Sequence, residues 1–462
     1  MIHTNILTIN QITDSENTYI KKNSFDKLIN HAASKISSYI FKNFKKQKVL
    51  LICGPGNNGM DGILSFNKLK EKMKVSLIKV NKDNFDIKLI KNLIESNQII
   101  FDCILGTGLN RKISGNFKKV IQEINKSNKT VISIDIPSGI NGDSGEIMGM
   151  SVKANITLAM GFIKPGYYLF PGKENIGKIE VIKLNLQIPS YRTPKITLIK
   201  QCFFNNKFPN YGQNINKYNK GHVLVIGGTM AGASRLVAYS ARKTGCGLTT
   251  ICVEKRNLSF YSQTEPGTII KVFQKKDLDK KDVLVIGPGL GKGFNKNKIL
   301  SIINYFNGPI IIDADAISIF ENHKKDLITV IRKKRQIILT PHLGEFKRLF
   351  RFNFSSKILN CYSASKLIEN CVLLKGNDSV ISFPEGRVWL NNGAKNNLAT
   401  AGSGDLLCGI IAGLLSQKMP TNLAVPCSIL IQNKISSSQN DVVVEDFLNN
   451  IPAAIKSLKN NN

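Results

Sequence analysis

The sequence predicts a two-domain α/β protein, each half an open, mostly parallel sheet with helices on both faces. Three observations carry this expectation. Short apolar runs such as Lys48-Val-Leu-Leu-Ile-Cys53 and Gly221-His-Val-Leu-Val-Ile-Gly-Gly228 recur along the chain and end in Gly-rich or polar loops. Helical patterns alternate with them, the arrangement that builds doubly wound sheets. At 462 residues and 42% hydrophobic composition the chain can fill more than one core. The stretch 186–219 is strand-poor by pattern and rich in Asn, Pro and Tyr, which reads as a junction. The expected boundaries are a first domain at 1–190, a junction at 191–219 and a second domain at 220–458.

In the first half, residues 11–45 carry Leu28, Ile29, Ala32, Ala33, Ile36 and Ile40 near a 3.6-residue period and are expected to form an amphipathic helix. The run 48–53 then leads through Gly54-Pro-Gly-Asn-Asn-Gly-Met-Asp-Gly62 into a second helical pattern. Strand, Gly-rich loop and helix together make a Rossmann-like nucleotide turn in a three-layer α/β/α domain. Asn57, Asn58 and Asp61 put two amides and a carboxylate on that loop, suited to a ribose, an amide or a cation, although Asn and Asp are also ordinary turn residues. Strands at Ile99–Leu105 and Thr130–Asp135 end in Gly106-Thr-Gly-Leu-Asn-Arg-Lys112 and Ile136-Pro-Ser-Gly-Ile-Asn-Gly-Asp143. Ligands of parallel sheets bind beyond the carboxyl ends of the strands, so Asp102, the 106–112 loop, Asp135 and Ser138 should converge with Asn57 to Asp61.

In the second half, Gly221–Gly228, a small-residue helix at Ala231–Lys243 and a strand at Leu248–Val253 read as a βαβ unit. Further strands are expected at Val283–Gly291, Ile310–Ala316, Ile337–Glu345 and Cys371–Gly376, followed by a hairpin around Pro384-Glu-Gly386. His342, at a strand end between Pro341 and a Leu-Gly-Glu, is weighed as a site residue against a structural one. Asn397-Leu-Ala-Thr-Ala-Gly-Ser-Gly-Asp405 then enters an apolar helix. Gly402 and Gly404 would let a ligand approach the backbone, and the helix start would favour an anion. Asp405 suits a base for a hydroxyl about to meet a phosphoryl group; the plainer alternative is an N-cap Asp.

Composition narrows the function classes. Nine Cys are scattered without paired spacing, which fits reduced thiols of a cytoplasmic protein better than a disulfide framework or zinc site. Met1–Asn10 lacks the pattern of a secretory leader, and no apolar run approaches the roughly 18–20 residues that span a bilayer. The formal charge of +32 is carried mostly by Lys distributed along the chain, with only ten Arg, so it reads as solvated Lys-rich faces rather than a specific nucleic-acid surface.

The stretches GPGNNGMDG, DCILGTGLNRKISG, SIDIPSGINGDSGE and FIKPGYYLFPGKENIGKIEVIKLNL resemble the NAD(P)H-hydrate epimerase family, in family order over about residues 1–187. The resemblance implies that Asn57, Asn58, Gly59, Met60, Asp61, Gly106, Thr107, Gly108, Leu109, Asn110, Arg111, Lys112 and Asp135 bind the hydrated nicotinamide nucleotide. It implies a potassium ion at Asn58, Asp102 and Ser138, with Asp135 as the proton-transfer residue and Lys164 a second candidate. Met60 stands where that family usually has Gly, and its side chain is expected to narrow the pocket.

The second half is similar to ADP-dependent NAD(P)H-hydrate dehydratase of the ribokinase-like superfamily, through GGTMAGASRLVAYSARKTGCGL, GPGLG, DADA, LTPHLGEF, LLKGNDSVI and NLATAGSGDLLCGIIAGLL. Carried over, Ala233, Gly289 and His342 line the hydrate site, and Lys375, Gly376, Asn377, Asp378 and Ser379 hold the adenine nucleotide. Gly404 meets its phosphate and Asp405 the substrate hydroxyl. Ser379 replaces the family's usual Thr, and Gln432 and Asn433 stand where a His-containing helix is common. The implied chemistry is epimerisation of R- and S-hydrates of NADH and NADPH, then ADP-dependent dehydration of the S form with Mg2+ beside the phosphates. No membrane or specific nucleic-acid partner is implied, and a homo-oligomer is expected. Two rivals are a vitamin or sugar kinase releasing a stable phosphorylated product, and an RNA-associated scaffold without activity.

Overall fold

The computed structural model describes residues 6–81, 86–189, 193–291, 293–352, 356–437 and 443–460. Residues 1–5 of the stretch read for a leader, and 190–192 of the expected junction, lie outside the described residues. The chain divides into two compact units, Met1–Ile196 and Thr197–Asn462. Among the described residues no helix is long and apolar enough to cross a membrane.

The first unit holds a six-stranded sheet of β1 (Val49–Cys53), β2 (Val75–Lys79), β3 (Ile99–Cys103), β4 (Thr130–Ile134), β5 (Ile156–Met160) and β6 (Lys178–Ile182). The spatial order is β2-β1-β3-β4-β5-β6, and every pairing is parallel. Both faces are covered, so the central strands are continuous apolar runs. Val49, Leu51 and Cys53 pack with Ala32, Ile36 and Ile40 on one side. Leu50 and Ile52 pack with Ile90, Ile94, Val120 and Ile121 on the other. Each such fully buried Leu or Ile contributes about 1.5–3 kcal/mol. The helix expected over 11–45 is two helices, Ile9–Lys22 and Phe25–Phe44. The break has a local cause: Ser24 is extended and its side chain accepts from Lys27 N, starting a new helix.

The second sheet has the order β10-β9-β8-β11-β12-β13-β14-β15-β16-β7. Its strands are β7 (Lys195–Leu198), β8 (His222–Ile226), β9 (Leu248–Val253), β10 (Ile269–Val272), β11 (Val283–Ile286), β12 (Ile310–Ile312), β13 (Ile337–Leu339), β14 (Cys371–Leu374), β15 (Val380–Ser382) and β16 (Arg387–Leu390). β10 through β14 are parallel; β14, β15 and β16 are antiparallel, with the expected hairpin between the last two. The stretch read as strand-poor therefore contributes an edge strand, β7. The helix Ser403–Ser416 is buried throughout from Leu406 to Ser416 and packs its glycines on the helix Ala231–Thr244, Gly409 against Ser240 and Gly413 against Thr244.

Both sheets have a switch point, where consecutive strands leave in opposite directions: between β1 and β3 in the first, and between β8 and β11 in the second. Crevices at such points are where open α/β sheets bind ligands.

Candidate active sites

At the first switch point the loops after β1 and β3 wall a cavity of about 430 Å3. Asn57, Asn58, Asp61, Gly106 to Arg111 and Asp135 line it, together with Glu16 from the helix Ile9–Lys22. Gly59, Met60 and Lys112 are not among its lining residues. Gly59 packs on the Gly54 carbonyl. Met60 is 46% exposed, so it does not narrow the pocket as expected. The helix Asn57–Leu69 explains this: at about 100° per residue, Asn58 and Asp61 share a face and Met60 points away from it.

Asp135 follows β4 in the left-handed region, at φ +67°. Its carboxylate accepts from Lys164 Nζ at 2.6 Å, and Lys164 is 1% exposed. The Tyr167 hydroxyl donates to the Asp135 carbonyl, so side chain and backbone are both held. Asp61 faces this pair. Burial first, then the charges of Asp135 and Glu16, push its carboxyl up to about 8. Glu16 is also raised, by burial and Asp135, with Lys164 opposing. Asp61 Oδ1 is buried without a hydrogen-bond partner. Three acidic side chains thus line one cavity, one of them held by a buried ammonium, an arrangement for acid–base work.

Behind it lie the residues expected around a cation. Asp102, in β3, is 0% exposed; Oδ1 accepts from Ser138 Oγ at 2.6 Å and Ile104 N at 3.2 Å, and Oδ2 from Ser133 Oγ at 2.8 Å and Ser138 N at 2.9 Å. Burial raises its carboxyl against these four bonds. Asn58 Nδ2 donates to Ile134 O at 3.2 Å, and Asn58 Oδ1 is buried without a partner. All three are hard oxygen donors of the kind an alkali cation takes, but only Asn58 Oδ1 is unpartnered; Asp102 accepts its four bonds and Ser138 Oγ accepts from Leu105 N at 2.8 Å.

In the second unit the loops after β8 and β11 meet. A Cβ built on Gly289 would lie 3.1 Å from Ala233 Cβ and 2.2 Å from Met230 O. His342 follows β13 and is bridged to Lys375, which follows β14. His342 Nδ1 accepts from Gly344 N at 2.9 Å and Glu345 N at 3.4 Å, capping the helix Leu343–Phe350 while most of its ring stays exposed. It is therefore a cap of that helix, held beside Lys375.

Lys375, Gly376, Asn377, Ser379 and Gly404 line a second cavity, of about 130 Å3, with Gln432 among its walls. Asp378 does not line it; its carboxylate pairs with Lys357. Gly402, at φ +85°, is the N-cap of the helix Ser403–Ser416 and offers no side chain to its free amides. Asp405 thus stands in the first turn, not at the cap. Gly404 leaves room above those amides: a Cβ there would meet only Lys375 Nζ, at 3.4 Å. Burial, then Asp313 and Asp315, push the Asp405 carboxyl up to about 6, against Lys375.

Sequence reasoning missed two groups. Asp313 holds Lys375 at 2.6 Å; its signal was the first Asp of Asp313-Ala-Asp-Ala316, directly after a wholly apolar strand. Glu16 gave none, since nothing in its helix marks the face that meets the cavity.

The dehydratase family model, described as NAD(P)H-hydrate dehydratase, matches residues 223–447, and the YjeF-related protein N-terminus model matches 26–88 and 67–166. A bifunctional NAD(P)H-hydrate repair enzyme from Dictyoglomus turgidum is 30% identical, over 84% of this chain and 85% of its own. The chain belongs to the bifunctional NAD(P)H-hydrate repair enzymes. A repair enzyme of the same description from Coxiella burnetii is 28% identical over 84% of each chain. For fold alone, a ribokinase-like superfamily protein from Enterococcus faecalis V583 superposes with a TM-score of 0.51 at 22% identity, covering 59% of this chain and 99% of that one.

Proposed function

We propose that the two units of this bifunctional NAD(P)H-hydrate repair enzyme divide the work: Met1–Ile196 interconverts the R and S hydrates, and Thr197–Asn462 dehydrates the S form at the expense of ADP. The observation that carries the reading is Asp405, a partly buried carboxylate in the first turn of a helix whose uncapped amides face an open space beside Lys375.

In the second unit the amides of the Ser403 helix start and Lys375 grip the transferred phosphoryl group. Asp405 takes the proton of the ring hydroxyl as it attacks. Attack on the terminal phosphorus of ADP releases AMP; phosphate then leaves the ring carbon far more readily than hydroxide would, the adjacent ring carbon loses a proton to solvent, and the dihydropyridine is restored. Asn377, Ser379 and Ser403 supply neutral oxygens around the nucleotide cavity that suit a hydrated Mg2+, which when bound neutralises phosphate charge.

In the first unit the hydrated ring carbon lies beside the ring nitrogen. Its hydroxyl departs and returns through an iminium-like species, with Asp135 exchanging the proton and Lys164 fixing Asp135. Asn58, Asp102 and Ser138 would hold K+, which offsets the buried Asp102 charge when bound.

The test is incubation of the full chain with mixed hydrate epimers and ADP, followed by dihydronicotinamide absorbance and product mass. Complete recovery of reduced nucleotide is expected. A phosphate retained on the organic product would convert the reading to a small-molecule kinase.

A further inference from the structure

We propose that Asp313 is a positioning residue of the dehydratase site: it aims the Lys375 ammonium at the start of the Ser403 helix and ties that aim to the helix itself. The proposal rests on the dehydratase reading above.

Asp313 directly follows β12 and is 1% exposed. Its two oxygens are divided between two elements. Oδ1 accepts from Lys375 Nζ at 2.6 Å, and Oδ2 accepts from Cys408 Sγ at 3.2 Å. Cys408 lies one turn beyond Gly404 and Asp405 on the same buried helix. Thr340 Oγ1 lies 3.8 Å from Cys408 Sγ and bonds to Ile312 O at 3.3 Å, so β13 steadies the thiol from the far side. The carboxylate is thereby clamped from β12, from the end of β14 and from the helix.

An ammonium carries three donors on a flexible four-carbon stem. Asp313 takes one of them and fixes the stem. The ammonium then sits 3.4 Å from the space above Gly404, where the helix amides also point. Lys375 is kept charged despite its burial, which alone would favour the neutral form, because Asp313 outweighs it. A freely rotating lysine would bind phosphate as a loose counter-charge; this one is set in advance, the condition for stabilising a transition state. Asp313 acts on Asp405 as well. Asp405 is faced by Asp313, Lys375 and Asp315, and after burial the Asp313 charge is the main influence holding its proton. Glu345, raised to about 7 by burial and Asp313, belongs to the same charge cluster, with His342 and Arg348 at its edge.

The test uses the full-length protein and three variants, Asp313→Asn, Lys375→Met and the double variant. ADP affinity is read by calorimetry, and dehydration by absorbance across pH. For Asp313→Asn we expect ADP affinity and kcat each to fall about tenfold or more, with KM for the hydrate changed less than about twofold. The low-pH limb governed by Asp405 should move to lower pH. The double variant should be no worse than Lys375→Met alone, since the two residues act as one unit. Additive losses, an unmoved limb, or equal losses of ADP and hydrate binding would each overturn the proposal. Should Asp313→Asn not fold, Cys408→Ala loosens the same carboxylate without uncovering its charge. It should weaken ADP binding and leave the limb in place, since the Asp313 charge remains; an unchanged ADP affinity would overturn the proposal too. A wild-type protein that binds ADP but leaves the hydrate intact would sink the dehydratase reading, while the ADP affinities would still decide the role of Asp313.

Discussion

Neutralising Asp135 should cost the first unit more stability than removing its partner Lys164. The asymmetry comes from exposure: the Lys164 side chain is 1% exposed and the Asp135 side chain 16%. Asp135→Asn leaves an ammonium with no route to water, and stripping one partner from a buried pair costs about 3–5 kcal/mol. Lys164→Met fills the volume of the stem and leaves a carboxylate at the cavity edge, where water can reach it, at about 1–2 kcal/mol. For a unit of this size each kcal/mol moves the melting temperature by about 2–4 °C, so Asp135→Asn should lower it by about 6–20 °C. The double variant, with no charge left to compensate, should recover part of that loss. Differential scanning calorimetry of the full chain reads all three, following the transition that Asp135 substitutions move. The reasoning fails if Asp135→Asn is no worse than Lys164→Met, or if the double variant is the least stable of the three.

Four further outcomes follow from the same geometry. Asp405→Asn should lower dehydration by ~10²-fold or more while calorimetry still detects ADP, because the base is lost but the amides and Lys375 remain; in the wild type, a base raised to about 6 must be ionised to work, so the rate should fall as pH drops through that value. Asp61, raised from an ordinary 3.8 to about 8, holds a proton in the folded state that the unfolded chain releases, so its contribution to stability declines as pH rises across that window; Asp61→Asn should raise the melting temperature more at pH 8 than at pH 5. Asp102→Ala should remove potassium dependence from epimerisation, read as rate against KCl concentration at constant ionic strength; an unchanged dependence would take Asp102 out of the cation site. Asp135→Asn on mixed epimers with ADP should give a fast phase and then a slow one set by spontaneous epimerisation, where the wild type gives one; superimposable traces would remove Asp135 from the epimerase step.

How much of this was legible in sequence depended on burial. β1, β3, β8 and β11 announce themselves because both faces are covered and nearly every position is apolar, Asp102 in β3 and His222 at the start of β8 excepted. β2 and β10 lie at sheet edges and are partly exposed, so their patterns are diluted. β7 was hidden by the Asn- and Pro-rich company it keeps. The break at Ser24 lay inside an apolar period that does not register capping. At the sites, the loops were visible because glycine and amide clusters at strand ends have few other uses. Side-chain direction was not: Met60 and Asp61 are neighbours in sequence, and only the phase of the Asn57–Leu69 helix sends one to solvent and the other to the cavity.

The charges of the two sites are opposite in kind, and the proposed reactions account for that. Loss of hydroxide from a carbon beside nitrogen builds positive charge on the ring, and the first cavity sets Asp135 and Glu16 beside it. Glu16 and Asp135 would repel a phosphate there, so phosphate groups belong toward Arg111 and the amides of the 106–111 loop. Phosphoryl transfer concentrates negative charge instead. The second site meets it with the amides of the Ser403 helix start and with Lys375, and two of its acids have set tasks: Asp405 is placed as proton acceptor, and Asp313 aims the lysine. A single site could not serve both steps: carboxylates that stabilise a cationic ring would weaken the phosphate grip, and cations that hold phosphate would oppose the iminium. Two cavities with opposite electrostatics in one chain are what a two-step repair of one substrate requires.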